Sequence, residues 1–289
     1  FTINAMGLTL DNPSEFIDPT MGMNDLRNES LVAINERNLI DDPLRLLRAL
    51  RLKAELNFNI EPKTISWIKS NYLMLRQIAP ERIQNEIYRI IHSQWADSVF
   101  PLLRDYGLLD LWVQPEFQAH NRVENLSNAK NFTEDEIALA LPLSRLTSLL
   151  SDDGLEYLRF SRNHRQNCKS LRKWQYRYDG LAFQTLTESE RFKLHKELED
   201  LLPAIILDLP DTEQKAWITR WRNQEDPLFH PHSPIDGNSL KEIFGLSSGP
   251  QLGQLLDYLS HERAFDRLNN YEKVLEAVCD WLKRNATSL

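Results

Sequence analysis

Along "DDPLRLLRALRL", residues 41–52, an Arg recurs at every third position: Arg45, Arg48 and Arg51. Positions three apart on a helix lie about 60° from one another. Asp42, Arg45, Arg48 and Arg51 therefore form one slowly turning polar stripe, and Leu46, Leu47, Leu50 and Ala54 cover the opposite side. The plainer reading is a solvated face laced with ion pairs, each contributing only about 0.3–0.5 kcal/mol. Three evenly spaced like charges weaken that reading, because they repel and invite an anion. A carboxylate only accepts hydrogen bonds and a guanidinium only donates them. Side by side they present an acceptor and a donor to a base edge. Cytosine offers an amino donor beside a ring-nitrogen acceptor, and so does adenine on its Watson–Crick edge. Uracil and guanine place a carbonyl where that amino group would be. One Asp–Arg pair could thus select C and A against U and G, while the next two Arg hold phosphates bidentately.

A second concentration of charge lies in "RFSRNHRQNCKSLRKWQYR", residues 159–177, with seven Lys or Arg and no Asp or Glu. Arg162, Arg165, Lys169, Arg172, Lys173 and Arg177 could track an RNA backbone, with His164 and Tyr176 nearby. The competing reading is a basic face balanced by acidic helices such as 197–213. Glu81, Arg82 and Glu86 share a helix face and read as an ion-pair brace to the 42–56 helix. "HPHSP", His230–Pro234, lacks a completing ligand set for a metal. Ser151–Asp153 and Asp208–Asp211 read as turns or caps. Trp174, Trp217, Trp221 and Trp281 read as core anchors.

The elements that must position these groups are mostly helical. The spacing predicts helices over about 42–56 (Asp41 or Asp42 as N-cap, Pro43 in the first turn), 61–69, 80–93, 95–106, 162–178, 212–223, 239–244, 250–262 and 270–286. Thr133 with Glu136 and Thr187 with Glu190 predict capping boxes for helices at 134–150 and 188–201. Residues 1–18 alternate apolar and polar around the turn cluster Asp11–Ser14, which predicts a hairpin at the edge of a sheet. Residues 223–239, with three Pro, read as a linker.

The chain has 289 residues, 42% apolar and 26% charged, with a formal net charge of −8. That balance argues against wholesale coating of nucleic acid but leaves room for a local basic surface. No apolar run is long enough for a membrane span, and no signal peptide is visible. Two distant cysteines, Cys168 and Cys279, fit a reducing compartment, so a cytoplasmic location is expected.

Four stretches together resemble class II tRNA nucleotidyltransferases (CCA-adding enzymes with their CC-adding and A-adding relatives) and the related bacterial poly(A) polymerases. "FTINAM", residues 1–6, looks like the end of a motif that normally begins Arg-Arg-Asp. "IDPTMGMNDL", residues 17–26, resembles Asp-Pro-x-Gly-Gly-x-x-Asp-Leu. "DDPLRLLRALRL" resembles the nucleotide-selecting helix, usually Glu-Asp-x-x-Arg-x-x-Arg-Ala-x-Arg. "IAPERIQNEI", residues 78–87, resembles Glu-Arg-Ile-x-x-Glu. A C-terminal "GPQLGQLLDYL" is typical of the family's tail region. Met21 departs from the first Gly of the Gly-Gly pair, and Asp41 from the usual Glu.

The resemblance implies that Asp42 and Arg45 contact the base of CTP or ATP and that Arg48 and Arg51 help bind the nucleotide or position the pair. It implies a glycine-rich phosphate loop and an Asp-x-Asp site for Mg²⁺ before the first motif, hence upstream of Phe1, so that no metal or catalytic ligand is expected within this chain. The expected architecture is mainly α: an elongated helical neck, body and tail behind a β-hairpin remnant of an α/β nucleotidyltransferase head. The expected divisions are 1–40 for the head remnant, 41–94 for the neck, 95–225 for the body and 226–289 for the tail. The expected activity of the complete protein is template-independent addition of C and/or A to a tRNA 3′ end, with tRNA and CTP or ATP as partners, no membrane, and a possible homodimer. The alternatives are a poly(A) polymerase and a non-catalytic RNA-binding helical module.

Overall fold

The computed structural model describes residues 1–110, 112, 129–177 and 185–285, without the side chains of Tyr176 and Arg177. It is mostly helical, as the periodicity predicts, with two small two-stranded sheets among the described residues. The chain divides into two units, Phe1–Lys169 and Ser170–Leu289.

In the first unit the expected hairpin is present but short. Strand β1 (Gly7–Leu8) pairs antiparallel with β2 (Phe16–Ile17), in the register Gly7↔Ile17. Helix α1 (Gly22–Arg27) follows. The Asp18 carboxylate accepts hydrogen bonds from the N–H groups of Gly22 (2.7 Å) and Met23 (2.9 Å), which a helix start leaves without partners. These backbone bonds, that of Met23 foremost, hold the Asp18 carboxyl below its usual range. Met21 adopts a left-handed φ of 61°. It thus takes the conformation a glycine would take there, at a strain of about 1–2 kcal/mol. Its neighbour Gly22 is irreplaceable on space alone: a Cβ there would sit 2.3 Å from the Thr2 carbonyl oxygen.

A second sheet, β3 (Ser30–Leu31) parallel to β4 (Asn59–Ile60), carries no sequence signal because neither strand is long enough to alternate. Between them lie α2 (Glu36–Asp41), capped by the Asn35 side chain, and α3 (Leu44–Leu56). Then come α4 (Pro62–Asn71) and α5 (Pro80–Ile91), each with Pro in its first turn, where the missing N–H costs no bond. Helices α3 and α5 pack together over a core that includes Leu46, Leu47, Leu50 and Ala54 from one and Ile83, Ile87 and Ile90 from the other. Burying each such Leu or Ile contributes roughly 1.5–3 kcal/mol. Helices α6 (Phe100–Asp105), α7 (Glu134–Leu149) and α8 (Asp152–Tyr157) follow among the described residues. The expected capping box of Thr133 and Glu136 opens α7. The buried Arg145 of α7 donates to the carbonyls of Ile91 (2.8 Å) and Ser93 (3.1 Å), closing the end of α5. Ser151 caps α8 and places Asp152 and Asp153 in its first turn.

The unit boundary falls within α9 (Arg162–Arg177). In the second unit come α10 (Glu188–Leu198, opened by the Thr187–Glu190 box), α11 (Leu202–Ile206), α12 (Asp211–Arg222), α13 (Gly237–Phe244), α14 (Pro250–Ala264) and α15 (Tyr271–Asn285). No described helix is long and apolar enough to cross a membrane. The stretch 223–239 is folded rather than a free linker. Asp226 accepts from the backbone of Leu228 and Phe229, both at 3.1 Å, and pairs with Arg220 at 2.7 Å. The apolar pair Leu228–Phe229 outweighs the surrounding prolines and goes into the core.

Phe229 and Trp217 flank the buried His195, with ring centroids 4.2 and 5.2 Å from it. Burial, helped by the positive charges of Arg220 and Arg191, pushes the His195 pKa down to about 3. The unfolded chain therefore binds this proton at a higher pH, near 6.5, than the folded chain does. Its contribution to stability is complete above about pH 6.5 and falls by up to about 1.4 kcal/mol per pH unit as the solution is acidified toward pH 3. Urea unfolding of the protein and of His195→Leu at pH 7 and pH 5 checks this. The variant is expected to lose less stability between the two pH values, and equal losses would contradict the assignment.

Candidate nucleotide-selecting site

Pro43 lacks an N–H and forces the residue before it out of the helical region. Asp42 accordingly sits at φ −138° and ψ 87°, between α2 and α3. It ends α2, and neither it nor Asp41 is the N-cap of α3; that position belongs to Pro43, with no side-chain cap. The Asp42 carboxylate is thereby spared from capping. It lies 3.2 Å from Arg82 of α5 and 3.8 Å from Arg45 Nε. Arg45 in turn donates from Nη1 to the Asn38 carbonyl of α2 at 2.9 Å. At 3.8 Å the Asp42 and Arg45 groups attract without consuming each other's hydrogen-bonding positions. An acceptor and a donor are left side by side, both partly open to solvent.

Deeper along the stripe the environment changes. The side chains of Asp42, Arg45 and Arg48 are 26%, 35% and 39% exposed, while Arg51 is 9% exposed. Arg51 Nε lies 2.7 Å from Glu86 Oε2, and its Nη1 lies 3.0 Å from Glu55 Oε2. Arg48 approaches the other oxygen of Glu86 at 3.6 Å, and Arg89 reaches Glu55 at 2.9 Å. Three arginines that would repel are thus interleaved with two glutamates. The brace read from the sequence holds for Arg82 and Glu86. Glu81 departs from it, pairing with Arg159 instead of reaching α3. Sequence reasoning missed Glu55 and the Asn38 carbonyl. The i,i+4 spacing of Arg51 and Glu55 was the available signal for the first, and the second, a backbone atom, carries none.

The basic helix is less uniform than its composition. Arg162 and Lys169 are exposed, Arg165 pairs with Glu156 at 2.9 Å, and Arg172 is buried. Lys173 pairs with Glu197 at 2.7 Å. Burial raises the Glu197 carboxyl, but hydrogen bonds from Lys173 and the Trp174 indole outweigh it and hold the pKa below the usual range. The side chain of Arg177 lies outside the described residues. Trp174 is a core side chain. Trp217 packs on His195 and Phe229, Trp221 donates to the Glu199 carbonyl, and Trp281 packs on the core of α13–α15. His230 is buried against the Trp221 carbonyl at 2.6 Å. Among the described residues no three His, Cys, Asp or Glu side chains come together as a metal site.

The buried bridge sets an expectation for stability. Glu86→Ala leaves the buried Arg51 with Glu55 as its remaining carboxylate and Arg51 Nε without one, which is expected to cost up to about 3–5 kcal/mol. Replacing both partners, Arg51→Met with Glu86→Leu, should be far less costly than the single change. Urea unfolding measures both; a single variant within about 0.5 kcal/mol of the parent would show the pair to be solvated.

Residues 57–120 match a family model described as "Probable RNA and SrmB- binding site of polymerase A". A CC-adding tRNA nucleotidyltransferase of Synechocystis sp. is 25% identical over 306 aligned positions, covering 95% of this chain and 72% of the relative. A CCA-adding enzyme of Lactobacillus helveticus is 26% identical, covering 96% and 69%. Among solved structures, the Thermotoga maritima CCA-adding enzyme complexed with tRNA superposes with a TM-score of 0.75 at 18% identity, over 98% of this chain and 72% of that one. The Bacillus stearothermophilus CCA-adding enzyme in complex with CTP gives 0.66 at 20% identity, over 100% and 73%. The chain is thus similar in sequence to tRNA nucleotidyltransferases and shares the fold of solved CCA-adding enzymes.

Proposed function

We propose that the protein takes part in template-independent addition of C and/or A, from CTP and ATP, to the 3′ end of tRNA. The observation that carries this reading is the open Asp42–Arg45 pair, an acceptor beside a donor, at the rim of a helix whose buried end is locked to α5. Asp42 accepts from the amino group of cytosine or adenine, and Arg45 donates to the adjoining ring nitrogen. A carbonyl in place of the amino group, as in uracil or guanine, sets two acceptors against each other, at a cost of about 1–3 kcal/mol. Arg48, next along the stripe, supports the bound nucleotide, and Arg51 positions the helix from beneath. On the basic helix, Arg162, Arg165, Lys169 and Lys173 meet RNA phosphates, and Arg172 anchors the helix in the core; Arg177 extends the same series. These contacts hold RNA without reading its sequence.

Phosphoryl transfer of this kind is supported by Mg²⁺, which activates the attacking hydroxyl and neutralises the triphosphate. The described residues offer no ligand set for it. Their part is to select the base and hold the RNA, and no metal-dependent step is assigned to them. The description of the matched family model favours one second reading, addition of A alone as a poly(A) tail. The two relatives are a CC-adding tRNA nucleotidyltransferase and a CCA-adding enzyme.

The complete protein, given CTP, ATP and Mg²⁺ on tRNA ending before CCA and on tRNA ending in CC, is expected to extend both by at most three nucleotides. A long A tract would favour the second reading, and no extension would leave an RNA-binding module. In the same assay Asp42→Ala should lower the preference for CTP and ATP over UTP and GTP by about tenfold, more than it weakens triphosphate binding. Equal loss for all four nucleotides would remove Asp42 from base selection.

A further inference from the structure

Beyond the stripe, the outer face of α5 carries an aromatic group that neither the core nor the nucleotide-selecting pair uses. Tyr88 is 44% exposed although it sits on a helix rich in buried isoleucines. Its ring lies 4.2 Å from that of His92, tilted by 35°, and 6.3 Å from His164 in an edge-on contact. A shallow depression of about 380 Å³ runs beside them, lined by Glu55, Tyr88, Arg89, His92, Ser93 and Gln94. That is within the range of small-ligand sites. His164 belongs to the start of α9, the helix that also carries Arg162, Arg165 and Lys169.

Glu55 is held by Arg51 and Arg89, Glu156 by Arg165, and Glu81 by Arg159. The cation of the depression itself is Arg89, which lines it, is 56% exposed and is paired with Glu55. The imidazole of His92 has a defined polarity. Its Nδ1 lies 2.7 Å from the Tyr88 carbonyl oxygen. A carbonyl only accepts, so Nδ1 carries the proton, and in the neutral ring Nε2 is an acceptor. An exposed π face, a guanidinium in the same depression and an imidazole acceptor are features that bind an unpaired ribonucleotide: stacking for the base, a cation for the phosphate, and an acceptor for the 2′-hydroxyl.

We propose that Tyr88 and His92 form a stacking subsite for one unpaired nucleotide of the RNA, separate from the Asp42–Arg45 pair that meets the incoming triphosphate. This rests on the reading that the protein binds RNA. The base stacks on the Tyr88–His92 face, Arg89 attracts the adjoining phosphate, and His92 Nε2 accepts from the 2′-hydroxyl.

Fluorescence anisotropy of the full chain with two labelled RNA hairpins tests it. One hairpin has a blunt stem and the other a single-stranded 3′ extension. Tyr88→Ala is expected to weaken binding of the extended hairpin by about tenfold and of the blunt one by less than about twofold. Tyr88→Phe keeps the stacking face and should bind both as the parent does. His92→Ala should remove any preference for ribose over deoxyribose in the extension. Tyr88→Ala binding both hairpins like the parent, or losing both equally, would overturn the subsite while leaving the wider reading intact. A parent protein that binds neither hairpin would overturn the wider reading, and the subsite with it.

Discussion

A buried arginine must have a carboxylate, and the pairing of Arg51 with Glu86 is the constraint on which the first unit depends. Both side chains are under 10% exposed, and their closest atoms are 2.7 Å apart. An ion pair so placed earns little net stability, because desolvation offsets most of the attraction. Its value is geometric. Apolar ridges of Leu and Ile would tolerate small slides along the α3–α5 interface. A carboxylate that must meet one guanidinium, with Arg48 on its other oxygen, does not. That fixed register brings Arg82 of α5 to Asp42 and leaves Asp42 beside Arg45 with hydrogen-bonding capacity to spare.

The same helix therefore answers two demands at its two ends. Toward Arg51 the chain buries charge and pairs it; toward Asp42 it breaks at Pro43 and opens to solvent. The break matters as much as the brace. Without a proline at 43, α2 could run on into α3, and Asp42 would be one more residue on a helix face. With it, Asp42 leaves helical geometry, and the Asn38 carbonyl near the end of α2 becomes available to orient Arg45.

Much of this was legible in the sequence, for stated reasons. The Leu-and-Arg periodicity of residues 44–56 fixes both the helix and its buried side. Two capping boxes fix the starts of α7 and α10. Glu86 was identifiable as a brace because a glutamate among isoleucines on one face must find a cation. Other features were not legible. The strands β3 and β4 are two residues each, too short for alternation to register. Asp42 looked like an N-cap because Asp before Pro usually is one; a second short helix ending just ahead of it displaced that role. Residues 223–239 looked like a linker because their prolines are counted more easily than the burial of Leu228 and Phe229. The exposure of Tyr88 depends on tertiary packing alone, and nothing in its spacing separates it from the isoleucines beside it.

On the proposed reading, the Arg51–Glu86 bridge, which lies below the open face, sets the geometry by which Asp42 and Arg45 would tell one base from another. The most direct measurement is the ratio of CTP to UTP affinity in the complete protein and in Arg51→Lys, at a temperature where both remain folded. Lysine keeps the charge but cannot reproduce the guanidinium's two-sided contact with Glu86 and Glu55. The ratio is expected to fall severalfold although Arg51 is buried beneath the Asp42–Arg45 pair. An unchanged ratio, with stability alone reduced, would show that the bridge holds the fold together but does not position the pair.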